Sequence, residues 1–247
     1  MGNKFYSPGN ERAARVGDLF STIAARYDLI NDLQSFSLHR QWKRRLVKLA
    51  NVRPGDRALD LCCGTGDIAF LLARRGAQVV GLDFSAPMLA VARERQKAEG
   101  KRQKSASDLS VQFLEGDATK IPFADGTFDI VTVGYGLRNL ASWETGLREM
   151  QRVAKPGGRL LILDFGKPEN GLWRSLYFAY LKLFVPTLGR LVCGDADAYT
   201  YILESLQHYP AQQGVAAKMR ELSLAKLRVV NLLGSVMSIN YGEKLKA

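Results

Sequence analysis

Cysteine and histidine are scarce in this chain, and their scarcity limits the kinds of site it can build. The 247 residues include three cysteines and two histidines. Cys62 and Cys63 are neighbours, so a disulfide between them would be strained, and Cys193 stands alone. This pattern excludes a disulfide framework and lacks the spacing of a zinc site. We therefore expect a reduced, cytoplasmic protein that binds no metal.

Long uncharged runs are also missing. The longest, residues 229–242, includes Asn and Ser, and a membrane-spanning helix needs about 20 mostly apolar residues. Residues 1–15 contain no apolar stretch of the kind found in secretory signals. The sequence predicts neither a transmembrane helix nor an exported protein.

Acidic residues are in the minority. Lys and Arg number 35 against 24 Asp and Glu, which gives a formal net charge of +11. Such an excess favours an anionic partner, namely nucleic acid, an anionic membrane surface or an acidic substrate, and charge alone does not choose among them. Because 47% of the residues are hydrophobic and 24% charged, the chain has the composition of a globular protein with a proper core.

A regular alternation of strands and helices is present from residue 58 onward. Predicted strands cover 58–61, 78–83, 111–115, 128–133 and 159–164, and predicted helices cover 68–75, 85–99, 142–154 and 212–222. This order indicates an α/β fold with a parallel sheet and helices on both faces. The KPGG segment, 155–158, predicts a turn, and the last two strand-like runs, 226–233 and 235–241, predict a hairpin near Gly234.

Two segments lie outside this alternation. Residues 19–50 predict two helices broken around 35–37, as part of a helical cap, 1–50, that precedes the α/β domain, 51–247. Along the second helix, LHRQWKRRLVKLA, apolar residues recur at helical spacing and the charged residues, Lys43 among them, are predicted to lie on the surface. Residues 168–210 are rich in aromatics and predict an insertion.

The stretch LDLCCGTGD, 59–67, joins the first strand to a helix through a glycine-rich turn. Such a turn presents backbone N–H groups at a helix N-terminus, and its glycines let a ligand come close to the main chain. Gly64, Thr65 and Gly66 also satisfy the looser dinucleotide pattern G-x-G-x-x-G/A. A tight turn without a ligand fits this stretch equally, so the neighbouring residues must decide.

Four acidic residues near the turn favour a ligand with a positive centre. Asp83 ends the second strand, where a carboxylate can accept both hydroxyls of a ribose, and Asp117 follows the third strand, within reach of an adenine amino group. Asp60 and Asp67 flank the turn, which disfavours a pyrophosphate, although either could be a helix cap. S-adenosylmethionine carries a sulfonium, an ammonium, a ribose and an adenine, so we predict it as the ligand.

The order of the motifs DLCCGTGD, GLD, EGDA, PFADGTFDIV and RVAKPGGRLLILDF resembles that of class I S-adenosylmethionine-dependent methyltransferases. The resemblance implies a Rossmann-like, mostly parallel seven-stranded sheet with a C-terminal antiparallel hairpin and helices on both faces. It also implies a set of cofactor-binding residues: Asp60, Gly64, Thr65, Gly66, Asp83, Phe84, Asp117, Ala118 and Gly134.

Three further stretches, YDLINDLQSFSLHRQWK, GYGLRNL and CGDADAYTYILESLQHYP, resemble the quinone C-methyltransferases of menaquinone and ubiquinone biosynthesis. This narrower resemblance implies methyl transfer from S-adenosylmethionine to a ring carbon of a demethylated prenylquinol, with demethylmenaquinol as the first candidate. The chain departs from the family pattern at Gly134, often Ser, and at Asp164, where many members have Glu.

The same resemblance implies catalytic roles for Tyr27, Arg138 and Asn139. Arg138 would stabilise the quinol phenolate directly or through a water, because a guanidinium stays protonated and is a poor base. Tyr27 and Asn31, one helical turn apart, could close over the site. His39 has a pKa suited to proton transfer, and a structural hydrogen bond is an equal alternative for it.

Other functions are weighed against this one. Residues 172–192 could form an apolar lid over a prenylated ring and touch membrane lipid, or they could simply pack in the core. A nucleic-acid methyltransferase would carry N/D-P-P-Y or Pro-Cys after the fourth strand, which this chain lacks, so no nucleic-acid partner is expected. The flanking acids disfavour a nicotinamide oxidoreductase. A cofactor- or lipid-binding module without turnover, and a homodimer, remain open.

Overall fold

The computed structural model describes residues 24–102, 110–184 and 208–246, together with the single positions 187, 203, 205 and 206. The strands are β1 (Arg57–Leu61), β2 (Gln78–Asp83), β3 (Val111–Glu115), β4 (Phe128–Gly134), β5 (Ala154–Phe165), β6 (Ala225–Leu232) and β7 (Met237–Glu243). The helices are α1 (Tyr27–Ser35), α2 (Leu38–Ala50), α3 (Asp67–Ala73), α4 (Ala86–Arg102), α5 (Trp143–Val153), α6 (Gly171–Ala179) and α7 (Ala211–Glu221). A π-helical turn, Tyr180–Phe184, follows α6.

The strands form one sheet in the order β3-β2-β1-β4-β5-β7-β6. All neighbours pair in parallel except β7, which is antiparallel to both β5 and β6. This arrangement confirms the predicted Rossmann-like methyltransferase fold and its C-terminal hairpin. The chain order reverses between β1 and β4, and open α/β sheets bind ligands at the carboxyl ends of the strands at such a point.

Helices cover both faces of the sheet. In β5, Leu161 and Leu163 pack into one core with side chains of α2, α3 and α4, whereas Leu160 and Ile162 pack into the opposite core with side chains of α5 and α7. Successive residues of a strand point to opposite faces, so a strand covered on both sides is apolar at every position. This is why residues 160–163 of β5 form a continuous hydrophobic run in the sequence.

The turn predicted for the KPGG segment is wrong. Residues 155–158 lie inside β5, where Phe128 of β4 pairs with Ala154 and Ile130 pairs with Arg159, so the segment bulges out of the β4–β5 ladder. On the other side of β5, the Gly157 N–H donates to the Lys244 carbonyl oxygen, and the Lys244 N–H donates to the Gly158 carbonyl oxygen. Pairing with the end of the chain therefore holds this glycine-rich segment in β5 as a bulge, in which Gly157 has a φ of 78°.

The predicted break between the first two helices is confirmed. Phe36 and Ser37 adopt left-handed backbone conformations between α1 and α2. The surface position predicted for Lys43 is wrong, because this residue is only 6% exposed. The Tyr180 hydroxyl donates to the carbonyl oxygen of Gln34, so the end of α1 contacts the segment after α6.

The insertion predicted at 168–210 is described only in part. Its first section contains α6 and the π-helical turn, whereas Cys193 and most of the CGDADAYTYILESLQHYP motif lie outside the described residues. Within the described part of the chain, no helix is long and apolar enough to span a bilayer.

Candidate functional site

An open cleft lies where the carboxyl ends of β1 and β4 separate. It encloses about 450 Å³ of empty space, part of it open to solvent. Six predicted site residues line it: Tyr27, Gly64, Asp83, Phe84, Gly134 and Asn139. The other predicted residues are absent from its lining: Asp60, Thr65, Gly66, Asp117, Ala118, Arg138 and His39. The chain thus brings residues of α1, β2 and the segment after β4 to one place.

The backbone around the cleft adopts conformations that most residues avoid. Gly66 has a φ of 88°, and a Cβ there would lie 2.9 Å from the rings of both Phe70 and Phe113. Only glycine fits this turn without displacing those rings. Cys62 and Tyr135, at the ends of β1 and β4, also have positive φ angles. Non-glycine residues in this region are costly and cluster at functional sites.

Asp83 holds the glycine turn against the end of β2. Its Oδ2 accepts a hydrogen bond from the Gly64 N–H at 2.8 Å, and its Oδ1 accepts one from the Ser85 N–H at 2.9 Å. Burial raises the pKa of Asp83 above its ordinary value, although the backbone N–H donors oppose this shift. The carboxylate therefore fixes the shape of the cleft as well as lining it.

Asp60 lies beneath the glycine turn. Its Oδ1 accepts a hydrogen bond from the Thr132 hydroxyl at 2.7 Å, whereas its Oδ2 is buried without a partner. Burial raises the pKa of Asp60 to about 7. A carboxyl group with this pKa carries only part of its charge at neutral pH, so Asp60 contributes less than a full negative charge near the cleft.

The two acids at the other edges of the predicted site are bonded within the protein. Asp117 is exposed, and its carboxylate accepts hydrogen bonds from the N–H and hydroxyl of Thr119, each at 2.7 Å. The adjacent Ala118 is buried. Asp67 pairs with Lys43 and Arg95, each at 2.7 Å. Burial would raise the pKa of Asp67, but these two cations lower it below its ordinary value, so the protein itself compensates this charge.

His39 makes a structural hydrogen bond. Its Nε2 lies 2.9 Å from Oδ1 of Asp32, a carboxylate that Arg40 also binds with two nitrogens. Burial and the nearby Lys43 lower the pKa of His39, although Asp32 opposes this. The geometry matches the structural alternative for His39. Of the two α1 residues proposed to close the site, Tyr27 lines the cleft and Asn31 does not. The Asn31 side chain instead accepts a hydrogen bond from Gln34.

Arg138 and Asp164 form a buried ion pair behind the cleft. Arg138 Nη1 lies 2.8 Å from Asp164 Oδ1, and the two side chains are 2% and 3% exposed. The guanidinium also lies over the Phe165 ring, 4.6 Å from its centroid. Asn139, the next residue, lines the cleft and donates to the carbonyl oxygen of Tyr135. In the sequence, Asp164 was notable only as a departure from the family pattern, and nothing there signalled it as the partner of Arg138.

Comparison with known proteins identifies the family. Residues 9–244 match the model of the ubiE/COQ5 methyltransferase family. The chain belongs to this family. It is therefore an S-adenosylmethionine-dependent methyltransferase. The ubiquinone/menaquinone biosynthesis C-methyltransferase UbiE of Ectopseudomonas mendocina (strain ymp) is 41% identical over 96% of this chain and 91% of its own. The protein of the same name from Cellvibrio japonicus (strain Ueda107) is 40% identical over 96% and 94%.

Solved structures support the fold of this family member. A SAM-dependent methyltransferase from Aquifex aeolicus superposes with a TM-score of 0.60 at 19% identity, covering 88% of this chain and 98% of its own. A phosphoethanolamine N-methyltransferase of Haemonchus contortus, in complex with S-adenosylhomocysteine, gives a TM-score of 0.62 at 18% identity over 83% of this chain and 53% of its own.

The cleft of this methyltransferase fits S-adenosylmethionine. A carboxylate at the end of β2, Asp83, lies beside an exposed aromatic ring, Phe84, and these groups suit a ribose and a purine. The backbone at Gly64 allows a close approach. Among the described residues, no group of three or more His, Cys, Asp or Glu side chains could hold a metal ion. Burial raises the pKa of both Cys62 and Cys63, which disfavours thiolate chemistry at neutral pH.

A network centred on Arg95 ties α1 to the glycine turn. Arg95 Nη1 donates to Asp28 Oδ2 at 3.0 Å, to the Thr65 carbonyl oxygen at 3.0 Å and to the Thr65 hydroxyl at 2.9 Å. Its Nη2 donates to Asp67 at 2.7 Å, and the Thr65 hydroxyl donates to Asp28 at 2.8 Å. Asp28 follows Tyr27 directly, so the Arg95 network fixes the start of α1 beside the cleft.

We expect Arg95→Ala to weaken S-adenosylmethionine binding about tenfold, which corresponds to about 1.4 kcal/mol. The substitution removes the donor shared by α1 and the turn, so the hydrogen bond from the Thr65 hydroxyl to Asp28 alone still joins the segments that carry Tyr27 and Gly64. Isothermal titration calorimetry measures the effect. Lys97→Ala is the matched control, because Lys97 lies on the same helix and pairs with Glu94 at the surface. Equal affinities for Arg95→Ala and the wild type would contradict an anchoring role.

Proposed function

We propose that this chain transfers the methyl group of S-adenosylmethionine to a ring carbon of a demethylated prenylquinol, with demethylmenaquinol as the preferred ring. The observation that carries the proposal is the meeting of Tyr27, Asn139 and Asp83 at one cleft. The first two belong to motifs of the quinone C-methyltransferases, and the third belongs to the cofactor motifs. Relatives about 40% identical over nearly the whole chain are named as ubiquinone/menaquinone biosynthesis C-methyltransferases.

In this proposal the cofactor lies along the carboxyl ends of β1 and β2. Asp83 accepts hydrogen bonds from the ribose hydroxyls, and Phe84 covers the adenine. The backbone at Gly64 and Gly134, both in the lining of the cleft, faces the amino acid end. Asp117, at the end of β3, is placed to meet the adenine amino group if its side chain leaves Thr119. S-adenosylmethionine supplies a methyl group already activated by the sulfonium, so the protein's task is alignment, which alone can account for a large part of the rate.

The chain must also make the quinol ring nucleophilic. The ring carbon reacts more readily when the adjacent hydroxyl has lost its proton, and a fixed positive charge stabilises the resulting phenolate. We assign this charge to Arg138, which lies behind Asn139 and outside the cleft lining, while the buried Asp164 holds its guanidinium in one orientation and offsets part of its charge. Asn139, on the surface of the cleft, orients the quinol hydroxyl, and Tyr27 covers the site from α1.

The described part of the insertion and α1 expose apolar side chains that suit a prenylated substrate. Leu172 and Leu176 on α6, Leu183 after it, and Phe36 at the end of α1 are 55–74% exposed. The Phe36 and Phe184 rings stack, with centroids 6.3 Å apart, so the two segments present a joined surface. We infer that residues 168–210 act as a lid and that this surface contacts the cytoplasmic face of the membrane. The net charge of +11 favours anionic lipid there.

Methyl transfer to extracted quinols tests the proposal. The protein is incubated with S-adenosylmethionine labelled in its methyl group and with demethylmenaquinol, demethylated benzoquinol or RNA in separate reactions. We expect label in menaquinol, identified by chromatography and mass spectrometry, and no label above background with Asp83→Ala. Label only in the benzoquinol product would overturn the choice of ring. Label only in RNA, or in none of the three, would overturn the proposal as a whole.

A further inference from the structure

Tyr135, directly after β4, adopts a backbone conformation that its residue type avoids. Its φ is 64°, in the left-handed region, and its N–H donates to the Leu163 carbonyl oxygen at 2.7 Å, which keeps this residue attached to β5. Such conformations cost free energy in non-glycine residues and cluster at functional sites. Glycine would adopt the conformation at lower cost, so the phenol at this position calls for an explanation of its own.

The ring of Tyr135 is held by neighbours from two other elements. Lys43 of α2 places its Nζ 5.7 Å from the ring centroid, and Asp67 binds that ammonium group at 2.7 Å. The Phe165 ring of β5 meets the Tyr135 ring edge to face, with centroids 6.0 Å apart. Both kinds of contact depend on the aromatic ring and not on its hydroxyl, so phenylalanine would keep them.

The hydroxyl of Tyr135, by contrast, is buried and forms no hydrogen bond in the described structure. Oδ1 of Asn139 is in the same condition, although Nδ2 of that amide donates to the Tyr135 carbonyl oxygen at 3.2 Å. The great majority of buried polar atoms in proteins are bonded, because an unbonded one costs free energy. Both residues line the cleft beside Tyr27, so a polar molecule bound in the cleft can supply both missing partners.

We propose that the Tyr135 hydroxyl is a further catalytic group, which donates a hydrogen bond to the quinol oxygen beside the carbon that receives the methyl group. The role rests on the proposed function and adds to it a group that meets this oxygen directly. Arg138 lies outside the cleft lining and shares its charge with Asp164, whereas Tyr135 is part of the lining. A phenol O–H can donate to a phenolate, and a fixed donor aimed at developing negative charge lowers the barrier.

Tyr135 is suited to donate a hydrogen bond rather than to remove a proton. Burial raises its pKa well above the ordinary value, and Tyr27 and Asp164 raise it further, while Arg138 opposes them. The phenol is therefore protonated throughout the neutral range, so it stays a donor while the quinol ionises. Asn139 complements it, because an amide carbonyl oxygen accepts from a quinol hydroxyl.

The test compares Tyr135→Phe with the wild-type full chain. At saturating S-adenosylmethionine we expect kcat for the demethylated quinol to fall about ten- to a hundredfold, the range for losing a hydrogen bond to a charged group. The rising limb of kcat against pH should move up by about one pH unit, because the quinol oxygen loses a donor that favours its ionised form. The Kd for S-adenosylmethionine should be unchanged, and the midpoint of thermal unfolding should be unchanged or raised, because an unpartnered buried hydroxyl has been removed.

Tyr241→Phe is the matched control. Its hydroxyl donates to Glu243 at 2.6 Å on β7, and Tyr241 is absent from the cleft lining, so this variant should unfold at a lower temperature and keep the wild-type kcat and pH profile. An unchanged kcat and pH profile in Tyr135→Phe overturn the catalytic role. Weaker binding of S-adenosylmethionine overturns it too, since the hydroxyl would then contact the cofactor. So does a lower unfolding midpoint in Tyr135→Phe, since the hydroxyl would then be bonded within the fold. A wild-type protein that methylates no quinol instead overturns the proposed function.

Discussion

Arg138→Ala is expected to lower the free energy of unfolding by about 3–5 kcal/mol as well as to abolish turnover. The substitution leaves the Asp164 carboxylate, which is 3% exposed, without its counter-charge at 2.8 Å. In a protein of this size each 1 kcal/mol moves the unfolding midpoint by about 2–4 °C, so a shift of roughly 6–20 °C is expected by circular dichroism. A turnover assay alone would therefore mistake instability for lost chemistry.

The sign of the pH dependence of stability identifies the uncompensated Asp164 carboxylate as the cause of the instability of Arg138→Ala. Burial raises the pKa of Asp164, and Arg138 opposes that shift, so without Arg138 the folded-state pKa lies further above the unfolded value. A carboxyl group with a raised folded-state pKa costs stability as the pH rises through that interval. The deficit of Arg138→Ala should therefore shrink at acid pH, where protonated Asp164 needs no counter-charge.

A paired apolar replacement separates stability from catalysis. Arg138→Met combined with Asp164→Leu removes both charges, and such replacements of buried ion pairs are often neutral or stabilising. We expect this double variant to regain most of the lost stability and none of the turnover. An unfolding midpoint for Arg138→Ala within about 2 °C of the wild type would contradict this expectation, because it is less than the shift that 1 kcal/mol would produce. It would show that the pair is not buried in solution. Full activity in the double variant would remove Arg138 from the mechanism.

Asp83→Ala is expected to weaken S-adenosylmethionine binding by at least about 100-fold, or about 3 kcal/mol. The substitution removes the carboxylate proposed to hold the ribose, and it also leaves the Gly64 and Ser85 N–H groups without their acceptor. Hydrogen bonds to a charged group contribute about 1.5–3 kcal/mol each, so the two effects together exceed the loss of one ligand contact. Isothermal titration calorimetry provides the dissociation constant.

Two variants show which of these effects dominates. Asp83→Asn keeps one carbonyl oxygen as acceptor, so binding should fall less than in Asp83→Ala. Asp117→Ala is the comparison at the adenine end, where the carboxylate is exposed and bonded to Thr119, and we expect a loss of about tenfold or less. If Asp83→Ala binds the cofactor within threefold of the wild type, Asp83 has neither role.

Local patterns in the sequence were sufficient for most of the fold. The predicted bounds of β2 and β3 match the structure, because each apolar run is bracketed by turn residues and charged side chains. The glycine turn and Asp83 could be found in the same way, since a strand that ends in such residues places them at one edge of the sheet. The turn predicted at the KPGG segment was wrong because glycine and proline favour turns locally, whereas pairing with Lys244, far along the chain, keeps the segment in β5.

The ionic parts of the site depend on contacts that no local pattern encodes. Lys43 reaches Asp67 across 24 residues, Arg138 reaches Asp164 across 26, and Arg95 reaches Asp28 across 67. On an amphipathic helix a lysine or arginine indicates a solvated face, which is the usual outcome. Only the assembled sheet shows which of these charges are enclosed and which carboxylate each one meets.

The span of the Arg95 network also sets an order of events during translation. Asp28 leaves the ribosome 67 residues ahead of Arg95, a delay of roughly 3–13 s at ordinary elongation rates. For that interval the first helix lacks its guanidinium partner, and until the chain has grown by 37 residues it also lacks the Thr65 hydroxyl. During this time Leu29 and Phe36, which stay exposed even in the finished fold, face solvent or a chaperone. The first helix is therefore made first and docked late, and nascent chains from which Asp28 has emerged and Arg95 has not are the ones most in need of protection from aggregation.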